Sequence, residues 1–152
     1  MTLTPRFRPL VWCALAAFAI GGCYSFAEPS FKPGSARDVF AAIVRRGVIV
    51  SEPIAGQTAC DDPGMIANTL YVTARLPDDP EPRDVYIHTY REKRWEEGLA
   101  EVAACQAAYA AAHPGSRITR LDIPIYRVFG ADWPKELAHQ LEVAFEEAAR
   151  AG

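Results

Sequence analysis

Hydrophobic residues recur at helical spacing in some stretches of this chain and alternate with polar ones in others, and the switches between the two periods divide it into elements. Ser35 and Asp38 stand at capping-box spacing, and Val39, Phe40, Ile43 and Val44 then form one apolar stripe. Arg45-Arg46-Gly47 supplies a basic last turn and a stop, so a helix is expected to open the fold at Ser35. Val48-Ile49-Val50 predicts a short buried strand, followed by a polar loop carrying Pro53, Gly56, Cys60, Asp61, Asp62, Pro63 and Gly64.

Leu70, Val72, Ala74 and Leu76 alternate with Tyr71, Thr73 and Arg75, and Val85 and Ile87 alternate with Tyr86, His88 and Tyr90. That is the period of two half-buried strands. Pro77, Pro80 and Pro82 between them lack backbone donors, which makes the segment a hairpin connection. Residues 91–113 predict a longer helix, with Trp95, Leu99, Val102, Gln106 and Tyr109 inward, Glu96, Glu97 and Glu101 outward and Cys105 on the flank of the stripe. His113-Pro114-Gly115 ends it, and Ile118 to Ile123 start a last strand that Pro124 confines to an edge or bends. Asp132 is expected to cap a final helix with Pro134 in its first turn and Leu137, Leu141, Ala144, Phe145 and Ala148 on its inner face.

The order α-β-β-β-α-β-α predicts an α+β fold, a two-layer sandwich with a mainly antiparallel sheet of about four strands. Residues 35–152 hold neither a repeat nor a break in composition and are read as one domain, preceded by a Pro- and Ser-bearing tether over 23–34. The chain of 152 residues is 50% hydrophobic and 23% charged with net charge -3, an ordinary globular balance that excludes disorder and a multi-span membrane protein. It lacks the basic stripe of a nucleic-acid binder, so no nucleic-acid partner is expected.

The N-terminal pattern differs from the rest. Arg6 and Arg8 precede an unbroken apolar run from Leu10 to Ile20, the charged and hydrophobic regions of a secretory signal over residues 1–22. At about 1.5 Å per residue the run reaches roughly half of a hydrocarbon core about 30 Å thick, too short to span it. Ile20-Gly21-Gly22-Cys23 then resembles the lipobox of bacterial lipoproteins, an aliphatic residue and two small ones before a cysteine. The resemblance covers only this N-terminal segment. It implies cleavage before Cys23 and a diacylglyceryl thioether, with palmitate-class acyl chains, on that residue, making membrane lipid a partner. Two buried chains anchor a protein stably where one does not. Tyr24 is not the Asp associated with inner-membrane retention in that family, so the resemblance implies the outer membrane, or the outer face of the plasma membrane in a single-membrane cell. Ala17-Phe18-Ala19 is the alternative, an ordinary cleavage site that would leave Cys23 as a plain thiol.

With Cys13 removed and Cys23 acylated, Cys60 and Cys105 remain, and in an exported chain that pair is expected to form a disulfide. Loss of the first 22 residues takes away two arginines and no acid, so the mature chain is more acidic than the precursor and is not drawn onto anionic lipid.

If every helix packs on the aliphatic face of the sheet, the opposite face presents Tyr71, Thr73 and Arg75 beside Tyr86, His88 and Tyr90. Rings with polar tips and a guanidinium suit an envelope protein, a peptide or a glycan, and the same residue types also simply favour strands. Asp61-Asp62 and Asp78-Asp79-Glu81 lack the spacing of a calcium loop, and His88, His113 and His139 lack a zinc-helix spacing, so no metal is expected. No Gly-rich phosphate loop is present, and no cofactor is expected. An enzyme could be assembled only by combining Cys60 or a serine with His88 and Asp122, without a nucleophile elbow to support it. Arg117, Arg120 and Arg127 fit strand-edge charges. The expected role is a lipid-anchored binding or assembly module of the cell envelope, and the alternative a small secreted hydrolase or envelope-modifying enzyme using His88.

Overall fold

The computed structural model describes residues 35–60, 62–91 and 94–151. The expected signal over 1–22, Cys23, the tether, Asp61 and the Trp95 side chain lie outside what is described.

The first helix, α1 (Ala36–Arg45), begins as its pattern predicts. The Ser35 hydroxyl accepts from the Asp38 backbone N–H, and Asp38 accepts in return from the Ser35 N–H at 3.0 Å. The Ser35 hydroxyl also donates to Asp38 Oδ2 at 2.6 Å, and that bond together with the one from the Ser35 N–H holds the Asp38 carboxyl below its ordinary pKa. Gly47, at φ 77°, makes the left-handed exit that a side chain would strain. The stripe is shifted from the expected one: Val39, Ala42 and Ile43 are buried, while Val44 is 58% exposed.

The sheet is larger than expected, six strands in the order β1-β3-β4-β6-β5 with β2 also paired to β3. All the pairings are antiparallel. β3 (Thr69–Arg75) and β4 (Arg83–Thr89) are the alternating strands, joined by the proline-rich connection and paired Tyr71 to Tyr86 and Val72 to Val85. The expected buried strand at 48–50 is instead an edge. β1 (Ile49–Val50) and β2 (Ile54–Ala55) both lie along β3, interrupted where Ser51 Oγ, in place of a carbonyl, accepts the Thr73 N–H at 2.9 Å. Only Val48 of that apolar triplet is buried.

β5 (Ile118–Ile123) and β6 (Tyr126–Ala131) form a hairpin around Pro124-Ile125. β5 is an edge strand, but Pro124 lies in the turn beyond it rather than blocking its outer side, and the chain returns as β6, which inserts between β5 and β4. Ile125 has φ 68°, left-handed, at the second corner of the turn, after the proline at the first. The strain of a β-branched residue there is offset by complete burial, 1% exposed. Asp132 does not cap the last helix. Its carboxylate and N–H bond the backbone of Arg117, continuing the β5–β6 ladder, and Pro134 directly precedes α3 (Lys135–Ala151), its carbonyl accepting the Ala138 N–H.

Two cores result. α1 and α3 cover the face carrying Val72, Val85, Ile87 and Val128. The other face is covered by α2 (Trp95–Ala112), through Val102, Cys105 and Tyr109 packed on Tyr86, Tyr90 and Phe129. The arrangement is therefore helix, sheet, helix, three layers where two were expected. α2 turns Val102 and Tyr109 inward as its stripe predicts, with Cys105 fully buried rather than on the flank, but its pattern does not say which sheet face it covers.

Candidate functional site

The alternation places Tyr71, Thr73 and Arg75 of β3 on one sheet face with Tyr86 and His88 of β4, as expected from sequence, and the register adds Thr69 and Asp84 to that face. The premise that this face is open does not hold. Tyr86, His88 and Tyr90 are buried, at 8%, 0% and 4% exposure, and Tyr71, Thr73 and Arg75 are half-buried. The physical reason is α2, pinned over the face by the Cys60–Cys105 disulfide, which ties it to the loop after β2 across a sequence separation of 45. The rings that were expected to stack on a partner stack on one another. Tyr86 lies 5.0 Å from Tyr71, 5.4 Å from Tyr109 and 5.5 Å from Phe129 between centroids.

Asp84 is the polar centre at one end of this face. Its two carboxylate oxygens accept the Tyr71 hydroxyl at 2.8 Å and the Tyr109 hydroxyl at 3.3 Å, and its carbonyl accepts the Trp133 indole N–H at 2.8 Å. Burial, reinforced by the neighbouring carboxylate, pushes the Tyr71 phenol up to about 12 and the Tyr109 phenol higher still. The phenols therefore stay protonated and serve as donors.

His88 marks the other end. Thr69 Oγ1 lies 2.7 Å from the Met65 carbonyl, to which it donates, and 2.9 Å from His88 Nδ1. With the hydroxyl proton committed to Met65, Nδ1 must carry the imidazole proton and donate to Thr69, leaving Nε2 as a lone pair. Nε2 is buried with no hydrogen-bond partner, and Phe129 lies parallel to the ring at 5.6 Å. Burial lowers the pKa of His88 from 6.5 to about 4, so it is neutral at physiological pH. The nucleophile, base and orienter combination has a different geometry. Cys60 is bridged, His88 Nδ1 faces Thr69, and Asp122 pairs with Arg120 at 2.7 Å and Arg127 at 3.3 Å.

A groove of about 760 Å³ lies at the end of the sheet where β2, the 3₁₀ helix Pro63–Asn68, the start of β3, the end of β4 and the approach to α2 meet. Ile66, Asn68, Leu70 and Tyr90 wall it, with Arg91 and Arg94 at its rim. Of the candidate binding-face residues only Tyr90 lines it, and burial with Glu101 pushes its phenol up to about 12. Ile66, 51% exposed, contributes apolar surface, and Arg94 donates to Glu97 at 3.1 Å. Sequence reasoning missed Ile66, Asn68 and Arg91 because the groove is assembled from separate segments, none of which carries a motif. The available signal was an apolar Met65-Ile66 inside a turn-rich loop.

Asp62 and Asp79 serve turns. Asp62 accepts the Gly64 N–H and caps the 3₁₀ helix, and Asp79 accepts the Glu81 N–H. Among the described residues no group of three His, Cys, Asp or Glu side chains is placed to hold a metal ion, and no helix is long and apolar enough to cross a membrane. Compared with protein-family models, curated proteins and solved structures, the chain finds no match. The class that the fold defines is an α+β protein with a disulfide-pinned helix over the second sheet face.

Proposed function

We propose that this chain is a lipid-anchored protein of the cell envelope, acylated on Cys23 and facing outward from the membrane, that acts as a binding or assembly module. The observation that carries the reading is the Cys60–Cys105 bridge. Such bonds persist in oxidising, extracytoplasmic compartments and are rare elsewhere, which agrees with export by a lipobox-bearing signal. The surface best suited to a partner is the groove walled by Ile66 and Tyr90 rather than the tyrosine-rich sheet face. An exposed aliphatic wall beside Arg91 and Arg94 fits a peptide segment of an envelope protein that presents an apolar side chain next to a carboxylate.

The test expresses the full chain in bacteria, labels it with palmitate and fractionates the cells. Label and membrane association should be present in the parent and absent in Cys23→Ser. A chain that keeps Met1 and stays in the cytosol overturns the address. For the role, acidic peptides bearing one large apolar residue should bind the parent and lose at least about tenfold in affinity with Arg91→Glu, roughly the worth of one charge-assisted contact. Turnover of peptidoglycan, ester or peptide substrates that His88→Ala abolishes would replace the binding reading with a hydrolase.

A further inference from the structure

The two edges of the sheet are built differently. The β1/β2 edge is broken into two-residue strands, with Ser51 and Pro53 in the break and a side-chain oxygen substituting for a backbone acceptor. That is how folded proteins blunt an edge against pairing. The opposite edge, β5, is six residues long, with β6 as its strand partner and no proline within it. The Asp132 N–H donates to the Arg117 carbonyl at 2.9 Å, which makes Arg117 and Asp132 a hydrogen-bonded pair. Antiparallel alternation then turns the backbone groups of Thr119, Leu121 and Ile123 toward β6, and those of Ile118, Arg120 and Asp122 outward along the edge, where no strand among the described residues pairs with them.

We propose that β5 pairs antiparallel with β5 of a second copy of this chain, joining two sheets through a two-fold axis at Leu121. The charge pattern of the edge is complementary to itself. Arg120 and Asp122 are exposed on the same face, 2.7 Å apart at their charged ends. Rotation about Leu121 sets Arg120 of one copy opposite Asp122 of the other, and the reverse, so that two cross-strand pairs of opposite charge form in one isologous interface. In that register Arg120 and Asp122 are also the residues whose outward N–H and C=O groups exchange hydrogen bonds. A register centred on Arg120 would instead oppose two guanidinium groups, which the same charges disfavour. Arg127, 3.3 Å from Asp122, adds a second cation behind each carboxylate and holds it in place.

The experiment is sedimentation equilibrium of the full chain in density-matched detergent, for the parent, Arg120→Asp, Asp122→Arg and an equimolar mixture of the two variants. The parent should show a monomer–dimer equilibrium. Each variant alone opposes like charges at both pairs and should raise the dissociation constant by roughly tenfold or more. The mixture should recover dimer, because Asp at 120 and 122 of one chain then faces Arg at both positions of the other. Recovery also shows that both variants are folded, since damage to the fold is not repaired by mixing. A parent that stays monomeric across the concentration range, variants that dimerise like the parent, or a mixture that fails to recover each overturn the proposal.

Discussion

The disulfide offers the sharpest test of how this fold is held together. Cys60 lies in the loop between β2 and the 3₁₀ helix, and Cys105 in the middle of α2, a sequence separation of 45. Closing a loop of that size removes chain entropy from the unfolded state worth about 4 kcal/mol. A domain of this size loses roughly 3–5 °C of melting temperature per kcal/mol, so reduction, or the Cys60→Ser/Cys105→Ser variant, should lower the melt by about 10–20 °C. The structure adds where the loss should appear. α2 meets the sheet through a short row, Val102, Cys105 and Tyr109, and with Met65 of the 3₁₀ helix it covers Tyr86, Tyr90 and Phe129. Once the bridge is cut, α2 should open before the strands do. Calorimetry with and without reductant gives the magnitude, and native-state hydrogen exchange gives the place, with α2 amides losing protection ahead of those of β4. An unchanged melt with two titratable thiols in untreated protein refutes the bridge. A lowered melt in which α2 amides exchange no sooner than β4 amides refutes the role assigned to it.

Other perturbations read the two ends of the covered face. His88 has a folded pKa of about 4 against 6.5 in its ordinary state, so its contribution to stability is complete above about pH 6.5 and is lost as the pH falls toward 4. That loss is about 3 kcal/mol. Urea unfolding at pH 7 and pH 4.5 should show a smaller acid loss in His88→Gln than in the parent, and equal losses would remove His88 as the cause. Asp84→Ala leaves the Tyr71 and Tyr109 hydroxyls without their acceptor and should cost about 2–3 kcal/mol, with the tyrosine absorbance titrating at lower pH; Asp84→Asn, which keeps an acceptor, should cost less. At Gly130 an added Cβ would collide with the Asp84 carbonyl and the Trp133 indole. Gly130→Ala should therefore cost at least about 3 kcal/mol in denaturant unfolding, and a change under about 1 kcal/mol would contradict that packing.

What local chemistry decides was legible in the sequence. The capping box of Ser35 and Asp38, the alternating faces of β3 and β4 and the proline-rich connection between them follow from residue type and spacing, and the pairing of Cys60 with Cys105 from the export that the N-terminal resemblance implies. The structure contains all of them. Tertiary contacts decided the rest. Alternation states that two faces of a strand differ, but not which is wet, because tyrosine, threonine and histidine suit a covered face and an open one equally well. Whether His88 met solvent or a buried threonine depended on where α2 came to rest, and the stripe of Val102 and Tyr109 says which side of that helix turns inward but not which sheet face it covers. The insertion of β6 between β4 and β5, and a groove drawn from separated segments, are long-range pairings whose energy lies in partners distant along the chain, so no window of neighbouring residues contains them.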